Sequence, residues 1–437
     1  MNQILRRSVI TLGEHRGAPR IYLNGRYLAR AAFGPGEAYT LSYERGRLVI
    51  DLTPDGPRKV SSKTNGQIPV IDLNSTELRT IFGAARSLEV VTRHGTIEIT
   101  PARLEQHRAR RVRNGLEGSI FAGGGLLTQA AKDAGYRCAF AIELNPDYAE
   151  VLERNHPGAQ VLNCDIAQVD TTQLPQVELL TIGLPCECFS RARQNGRGDV
   201  PEDHDTGDLV YWALKLIDDL APYTVVLEEV PPFTKSGAYF ILTNALSRLG
   251  YTVETKILDP MDYGFISGRK RACVVATTAA EVRWPAPRRA SGKLGDLLED
   301  VPDDVYFDVE SKPWIFRHWE TQRAKGNGFC SAILGPETTR IPTITRRYFA
   351  QQGSSPVVRH PSIPDTFRWL TVREVSRLMG LSDDYDLNVP QTTAGEILGQ
   401  GVLVPLFAAV IAANSATPPI NAQLRPRQLD LFSTVTS

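Results

Sequence analysis

The sequence predicts an α/β protein: a doubly wound sheet, preceded by a β-rich domain and interrupted by a small separate lobe. Three observations predict this. From Gly118 to Ala276, short apolar runs alternate with amphipathic stretches, the pattern of strands crossed by helices. Residues 1–113 repeat themselves at an offset of 50, then 49. Around residue 283 the alternation stops, and 283–365 is rich in Pro, Trp, Arg and Gly without sustained helical periodicity.

In the front block, Ile21-Tyr22-Leu23-Asn24 is followed by Leu28, Phe33, Gly46, Leu48 and Ile50. Ile71-Asp72-Leu73-Asn74 is followed by Leu78, Phe82, Gly95, Ile97 and Ile99. Each copy reads as a strand, one or two helical turns, then a hairpin turning at residues 44–46 or 93–95. Units this small cannot bury a face alone, so the two copies are expected to interlock. The pattern resembles the AbrB-type swapped-hairpin fold, also seen in SymE-like proteins, which implies DNA binding or a plain dimerisation role.

The chain of 437 residues is long enough for two or three domains. The start has too short an apolar segment for a secretion signal, and no run approaches the roughly 20 apolar residues of a membrane span. Six cysteines in such a chain do not make a disulfide framework, so reduced thiols and a cytoplasmic location are expected. The zero net charge conceals an asymmetry. Residues 1–113 hold 19 Lys/Arg against 10 Asp/Glu, and the remainder holds 30 against 39. A basic block before an acidic body suggests a polyanion contact. The run 103–113 reads as a linker or helix over a phosphate backbone, or as a solvated connection.

In a doubly wound sheet, ligands sit beyond the carboxyl ends of the strands. The strand at 119–121 ends in Phe121-Ala122-Gly123-Gly124-Gly125, where glycine lets the backbone approach a ligand closely. The next strand, 139–143, ends at Glu143, able to accept both ribose hydroxyls. Asp165, after the third strand, is placed to accept from an adenine amino group. The order glycine, Glu, Asp points to a nucleoside ligand.

The strand 177–182 runs into Pro185-Cys186-Glu187-Cys188-Phe189-Ser190, which exposes a thiol in a proline-stiffened loop as a nucleophile. A buried structural thiol is the plain alternative. A metal is not expected, because no companion Cys/His pair has zinc spacing. The strand 224–227 ends in Glu228-Glu229-Val230, where crowding and burial would raise a carboxyl pKa and make an acid. Arg269 and Arg271 alternate ahead of the strand 272–276 and are expected to share a face toward the cleft. Helical signal returns at 371–381 and 393–413.

This ordered set resembles the DNA cytosine-5 methyltransferase family. PheAlaGlyGlyGly (121–125), Glu143 and Asp165 resemble its cofactor motifs. ProCys (185–186) with PheSer (189–190) resembles its nucleophile loop, Glu228 and Val230 its Glu-Asn-Val motif, and Arg269 and Arg271 its Gln-x-Arg-x-Arg motif. Residues 368–380 resemble its ninth motif. Gly399-Gln400-Gly401-Val402 with Val404-Pro405 resembles the last, and Pro342-Thr343-Ile344-Thr345-Arg346 a recurring segment of its target recognition domain.

The resemblance implies a Rossmann-like class I S-adenosylmethionine-dependent methyltransferase sheet at 114–276, a target recognition lobe at 277–365, a return at 366–413 and a tail at 414–437. It implies catalysis by Cys186, Glu228, Arg269 and Arg271. Cofactor contacts would come from Phe121, Ala122, Gly123, Gly125, Glu143, Leu144, Asp165, Ile166, Pro185, Gln400 and Val402. DNA contacts would come from Ser190, Arg191, Arg346 and Arg347. The implied substrate is double-stranded DNA with a flipped-out cytosine, the implied setting is bacterial or phage and nucleoid-associated, and a restriction endonuclease would be a separate partner. A related transferase with altered base or donor selectivity, or a non-catalytic DNA-binding regulator, uses the same residues differently.

Several positions depart from the family pattern. Glu187 replaces Gln, Glu229 replaces Asn, Ser267 replaces Gln, and Gln400-Gly401 replaces Asn-Ser. Glu187 and Glu229 are expected to crowd the thiol and the acid with negative charge, unless Arg191 or Arg193 neutralises them. His204 and Asp205 read as solvated loop residues. Trp314, Phe316 and Trp319 read as a mini-core.

Overall fold

The computed structural model describes residues 3–102, 105, 107, 109–185, 208–289, 291–326 and 332–415. The chain divides into two compact units between Arg110 and Arg111.

The first unit is built from strands β1 (Ile4–Thr11), β2 (Gly13–His15), β3 (Ala18–Asn24), β4 (Ala38–Glu44), β5 (Arg47–Leu52), β6 (Arg58–Lys59), β7 (Ser61–Lys63), β8 (Ile68–Asn74), β9 (Ser87–Arg93) and β10 (Thr96–Pro101). Two short helices, α1 (Arg26–Arg30) and α2 (Glu77–Phe82), follow the equivalent strands β3 and β8. The repeat in sequence is a repeat in space. β3 pairs antiparallel with β8, setting Ile21 opposite Leu73 and Leu23 opposite Ile71. β5 pairs with β10, setting Ile50 opposite Ile97 and Leu48 opposite Ile99. Each copy thus completes a sheet of the other, and the apolar faces close one core around Ile21, Phe33, Leu48, Ile71 and Ile99. The segments β2, β6 and β7 carry no apolar alternation and are exposed throughout. They are held by ladder hydrogen bonds and a few polar side-chain contacts, so no periodicity announces them.

The second unit holds a seven-stranded sheet in the order β13-β12-β11-β14-β15-β17-β16. Its strands are β11 (Leu116–Ile120), β12 (Arg137–Ile142), β13 (Gln160–Leu162), β14 (Leu179–Gly183), β15 (Thr224–Glu229), β16 (Thr252–Leu258) and β17 (Arg271–Thr277). The first five are parallel, and β17 inserts antiparallel between β15 and β16. The β16 strand escaped the sequence reading because its half-buried, polar-interrupted run lacks the apolar continuity of its neighbours. Helices α3 (Leu126–Asp133), α4 (Pro146–Asn155), α5 (Leu209–Leu220) and α6 (Gly237–Arg248) lie between the strands. The chain leaves β11 toward β12 and β13, then crosses back to β14 and β15. That reversal opens a crevice at the carboxyl ends of β11 and β14, where open α/β sheets bind ligands.

Beyond β17 comes the small lobe, with α7 (Pro313–Ala324) and strands β18 (Ile333–Leu334), β19 (Val357–Arg359) and β20 (Phe367–Arg368). The α7 helix is absent from the sequence reading because Trp, Phe, His and Arg give it no clean apolar stripe. Phe307, Ile315, Trp319, Val357 and Phe367 form the lobe's own core, with Phe316 packed on it, while Trp314 is exposed. The Trp319 Nε1–H donates to the Gly353 carbonyl at 2.7 Å. The chain returns through α8 (Val372–Leu378), α9 (Gln391–Gln400) and α10 (Val404–Ala413). Thr371 and Glu374 form a reciprocal cap at the start of α8. The stretch 391–413 is long and apolar enough to cross a membrane by length and composition, contrary to the sequence reading. Its helices instead carry core residues, with Ile397, Leu406, Phe407 and Ile411 packed among Leu126, Leu127 and Ala130 of α3.

Two arginines of the basic run sit on tyrosine rings. Arg113 lies over the Tyr223 ring and donates to its hydroxyl at 3.0 Å, and Arg111 lies over Tyr251 and donates to the Leu249 carbonyl. These two guanidiniums are spent on holding the chain to the second unit.

Candidate functional site

The crevice holds a cavity of about 740 Å³. Its floor is the end of β11. Phe121 takes a left-handed backbone (φ 53°), strained for a residue with a side chain, and Gly123 follows at φ 56°. A side chain at Gly123 would meet no neighbour within 4 Å, so the glycine leaves open space against the cavity. Gly124 is needed for a different reason: a Cβ there would collide with Ile397.

Glu143, one residue beyond β12, crosses to this turn. Its Oε2 accepts from the Gly123 N–H at 2.7 Å, and its Oε1 accepts from the Asn145 N–H at 2.8 Å. Burial pushes its carboxyl upward against those backbone donors. Each oxygen keeps a lone pair for a further donor. Asp165, beyond β13, uses Oδ1 to accept from Ala167 N–H at 2.9 Å. Phe121, Ala122, Gly123, Glu143, Leu144, Asp165, Ile166, Pro185, Gln400 and Val402 all line the one cavity. Gly125 does not. It opens α3 in a left-handed conformation, backed by His156 and the Tyr385 hydroxyl.

Glu228 and Arg271 close the far wall. Because β17 runs antiparallel to β15, its first residue falls at the same sheet end as the last residues of β15. The Arg271 Nε stands 2.5 Å from Glu228 Oε1, with both side chains about nine-tenths buried. Desolvation raises the Glu228 carboxyl, opposed by Arg271 and then Arg269, and the net direction is upward.

Arg269 corrects the expectation of two arginines facing the cleft. Its guanidinium donates to the carbonyls of Gly401 (2.7 Å), Gly399 (2.7 Å) and Ile344 (3.1 Å), and it does not line the cavity. It ties the β17 approach, the α9–α10 junction and the Thr-containing segment together. Glu229 is a second correction. Strand alternation turns it away from the cavity that Glu228 lines, and it is only 1% exposed. Burial, and then the adjacent Glu228, push its carboxyl well up.

Cys186, Glu187, Ser190, Arg191, Arg193, His204 and Asp205 lie outside the described residues. Arg346 and Arg347 are exposed beside Gly399, whose absent Cβ would strike the Thr345–Arg346 backbone. Sequence reasoning missed Trp212, Leu184, Tyr148 and Tyr385. Trp212 and Leu184 line the cavity. Tyr148 lines it too and donates to Glu396 at 2.8 Å, and Tyr385 donates to the Gly124 carbonyl at 2.5 Å. Only Trp212, in an apolar amphipathic stretch, left any trace in the sequence; the tyrosines act across more than 200 residues of chain.

Among the described residues no cluster of His, Cys, Asp or Glu is arranged for a metal. The model of the C-5 cytosine-specific DNA methylase family matches residues 117–415. The type II methyltransferase M.NlaX of Neisseria lactamica is 29% identical over 303 residues, covering 67% of this chain and 93% of that protein. M.HhaI of Haemophilus parahaemolyticus is 23% identical over 305 residues, covering 65% and 89%. The crystal structure of S. pombe Dnmt2 methyltransferase has the same fold, with a TM-score of 0.54 at 20% identity, covering 69% of this chain and 97% of that one. A match running from the first strand of the sheet through its last returning helix leaves one assignment: this chain belongs to the C-5 cytosine-specific DNA methylase family and is a DNA cytosine-5-methyltransferase.

Proposed function

We propose that the chain methylates C5 of a cytosine flipped out of double-stranded DNA, through a covalent bond between Cys186 and C6. The observation that carries this reading is that one cavity holds the Glu143–Asp165 pair at one end and the Glu228–Arg271 pair at the other, with Pro185, the neighbour of Cys186, on its wall. The residues fit S-adenosylmethionine. Glu143 would hold the ribose hydroxyls and Asp165 the adenine amino group. Leu126, Leu127, Val402 and Trp212 supply apolar walls, and the open face of Gly123 lets the chain lie close. When bound, that cofactor supplies an electrophilic methyl group on a sulfonium.

The protein's own work is to make C5 nucleophilic. The Cys186 thiolate adds to C6, and electron density moves through C5 toward N3. Glu228, whose carboxyl burial pushes upward, hydrogen-bonds N3, so negative charge does not accumulate on the ring. Arg271 holds Glu228 and faces the base carbonyl. After methylation, loss of the C5 proton and expulsion of the thiolate restore the aromatic ring. Arg346, Arg347, Ser190 and Arg191 contact DNA, and the basic front unit adds phosphate contacts, a reading supported by its excess of positive charge. A separate endonuclease cutting the unmethylated site completes the system, by analogy with the type II relatives.

Bisulfite sequencing of DNA from cells expressing the protein tests this against a Cys186→Ser control. Protected cytosines in one sequence context are expected with the wild type and none with the control. Equal protection in both removes the covalent reading.

A further inference from the structure

We propose that Glu229 is a positioning residue that works as a neutral carboxylic acid, doing the job of an amide and leaving Arg271 wholly to Glu228. This rests on the reading of Glu228 and Arg271 given above.

Glu229 is the last residue of β15, paired in register with Ala272 and buried. One carboxyl oxygen accepts from the backbone N–H of Val230 at 2.5 Å. The other, Oε1, is enclosed and has no hydrogen-bond partner among the described residues. A buried carboxylate needs a cation and several donors. Among the described residues, the charged groups that act on it are Glu228 on its own strand and Arg271 at the start of β17, while Arg269 and Cys273 lie nearby in sequence on β17 and its approach. Arg271 stands against Glu228, and Arg269 is bound to three carbonyls. The Cys273 thiol is itself pushed up by burial and by Glu228. Among the described residues, the cation that acts on Glu229 is Arg271, which already stands against Glu228.

With a proton on Oε1, the group presents one acceptor and one O–H, the same pair of functions as an amide side chain. That matches the family motif this strand resembles, in which an amide follows the acid. A protonated Glu satisfies Val230 without charge. Ionised, it would be a second anion one residue from Glu228 and would compete for Arg271. Burial and the adjacent Glu228 both push its carboxyl well up, which agrees with the geometry.

The decisive measurement is the urea unfolding equilibrium of the full-length protein and of Glu229→Gln between pH 5 and pH 7. The unfolded chain ionises a glutamate near pH 4.3, and the folded protein is proposed to keep it protonated. The wild-type folding constant should therefore fall relative to the variant by about tenfold per pH unit, roughly 100-fold over the interval. Groups remote from position 229 titrate alike in both proteins and cancel.

The second measurement follows methyl incorporation into DNA. Glu229→Ala should lower kcat at least tenfold with the KM for S-adenosylmethionine held within about twofold, and Glu229→Gln or Glu229→Asn should restore kcat. Parallel unfolding titrations overturn the neutral acid. A Glu229→Ala variant with wild-type kcat, or amide variants as impaired as alanine, overturn the positioning role. If the wild type transfers no methyl to any DNA, the proposed function has failed, while the unfolding comparison still decides the protonation state.

Discussion

Arg269 offers the sharpest separation between positioning and chemistry. Its three charge-assisted hydrogen bonds reach the carbonyls of Gly399, Gly401 and Ile344, at 2.7–3.1 Å, the first and last of them buried. Bonds to a charged group contribute about 1.5–3 kcal/mol each, and a buried carbonyl left unpaired costs about 1–3 kcal/mol. Simple addition overshoots, because the junction can relax and admit water. Single substitutions rarely exceed about 4–5 kcal/mol, so Arg269→Ala should destabilise the protein by ~4 kcal/mol. Arg269→Lys, with one rotating ammonium in place of a planar fork, should lose about half as much. Gly399 and Gly401 flank Gln400 and adjoin Val402 on the cavity wall, so the affinity for S-adenosylmethionine should fall with stability. Urea unfolding gives the first quantity and titration calorimetry the second. Loss of kcat with stability and cofactor affinity both intact would return Arg269 to the reacting base and refute the clamp.

Glu117 is fully buried on β11, accepts from Thr181 Oγ1 at 2.5 Å, and is pushed up to about 7, chiefly by burial. Its folded value lies above its unfolded one, so the stability it contributes at low pH is lost as pH rises from about 4.5 to about 7. At ~1.4 kcal/mol per pH unit this comes to ~3 kcal/mol, and Glu117→Gln should abolish that slope in unfolding measurements at pH 4.5 and pH 8. Arg368 and Glu374 form a buried bidentate pair, with both bonds at 2.7 Å. Arg368→Met should cost about 3–5 kcal/mol by stranding the carboxylate, and Arg368→Met with Glu374→Leu should recover most of it; equal losses in single and double variants would contradict this. Arg58, Lys59 and Lys63 are exposed on the front unit. Replacing all three by Gln should weaken DNA binding and flatten the plot of log affinity against log salt by up to ~3, about 0.9 per phosphate contact; an unchanged slope places the DNA elsewhere.

How much could be read in advance depended on whether a residue's role was set locally or across the fold. The central strands of the second unit were visible because burial on both faces demands continuous apolar runs, as in the ValValLeu of β15 and the CysValValAla of β17. The order of Gly123, Glu143 and Asp165 was legible for a related reason: each follows a strand, and parallel strands deliver their ends to one edge. The interlock of the front unit showed as a 50-residue echo, because the two copies bury the same faces. What failed was contact between distant segments. Arg269 and Arg271 alternate, yet one meets Glu228 and the other the Gly399–Gly401 turn, 130 residues away. Nothing local distinguishes them. Tyr385 over Gly124 and His156 behind Gly125 were hidden in the same way.

The misplacement of Glu229 shows how electrostatics follows topology. From sequence, two adjacent glutamates beside a nucleophile look like a concentration of negative charge. A strand, however, sends neighbouring side chains to opposite faces. Glu228 therefore opens on the cavity and meets Arg271, while Glu229 turns away to the Val230 N–H, its other oxygen without a hydrogen-bond partner among the described residues. The same residue type one position apart becomes an ion-paired acid in one case and an uncharged hydrogen-bonding group in the other. The insertion of antiparallel β17 beside β15 decides which, because it brings the Arg271 guanidinium to that edge of the sheet, against Glu228. Charge at this site is counted by the faces of a strand, and the count returns one carboxyl for one arginine.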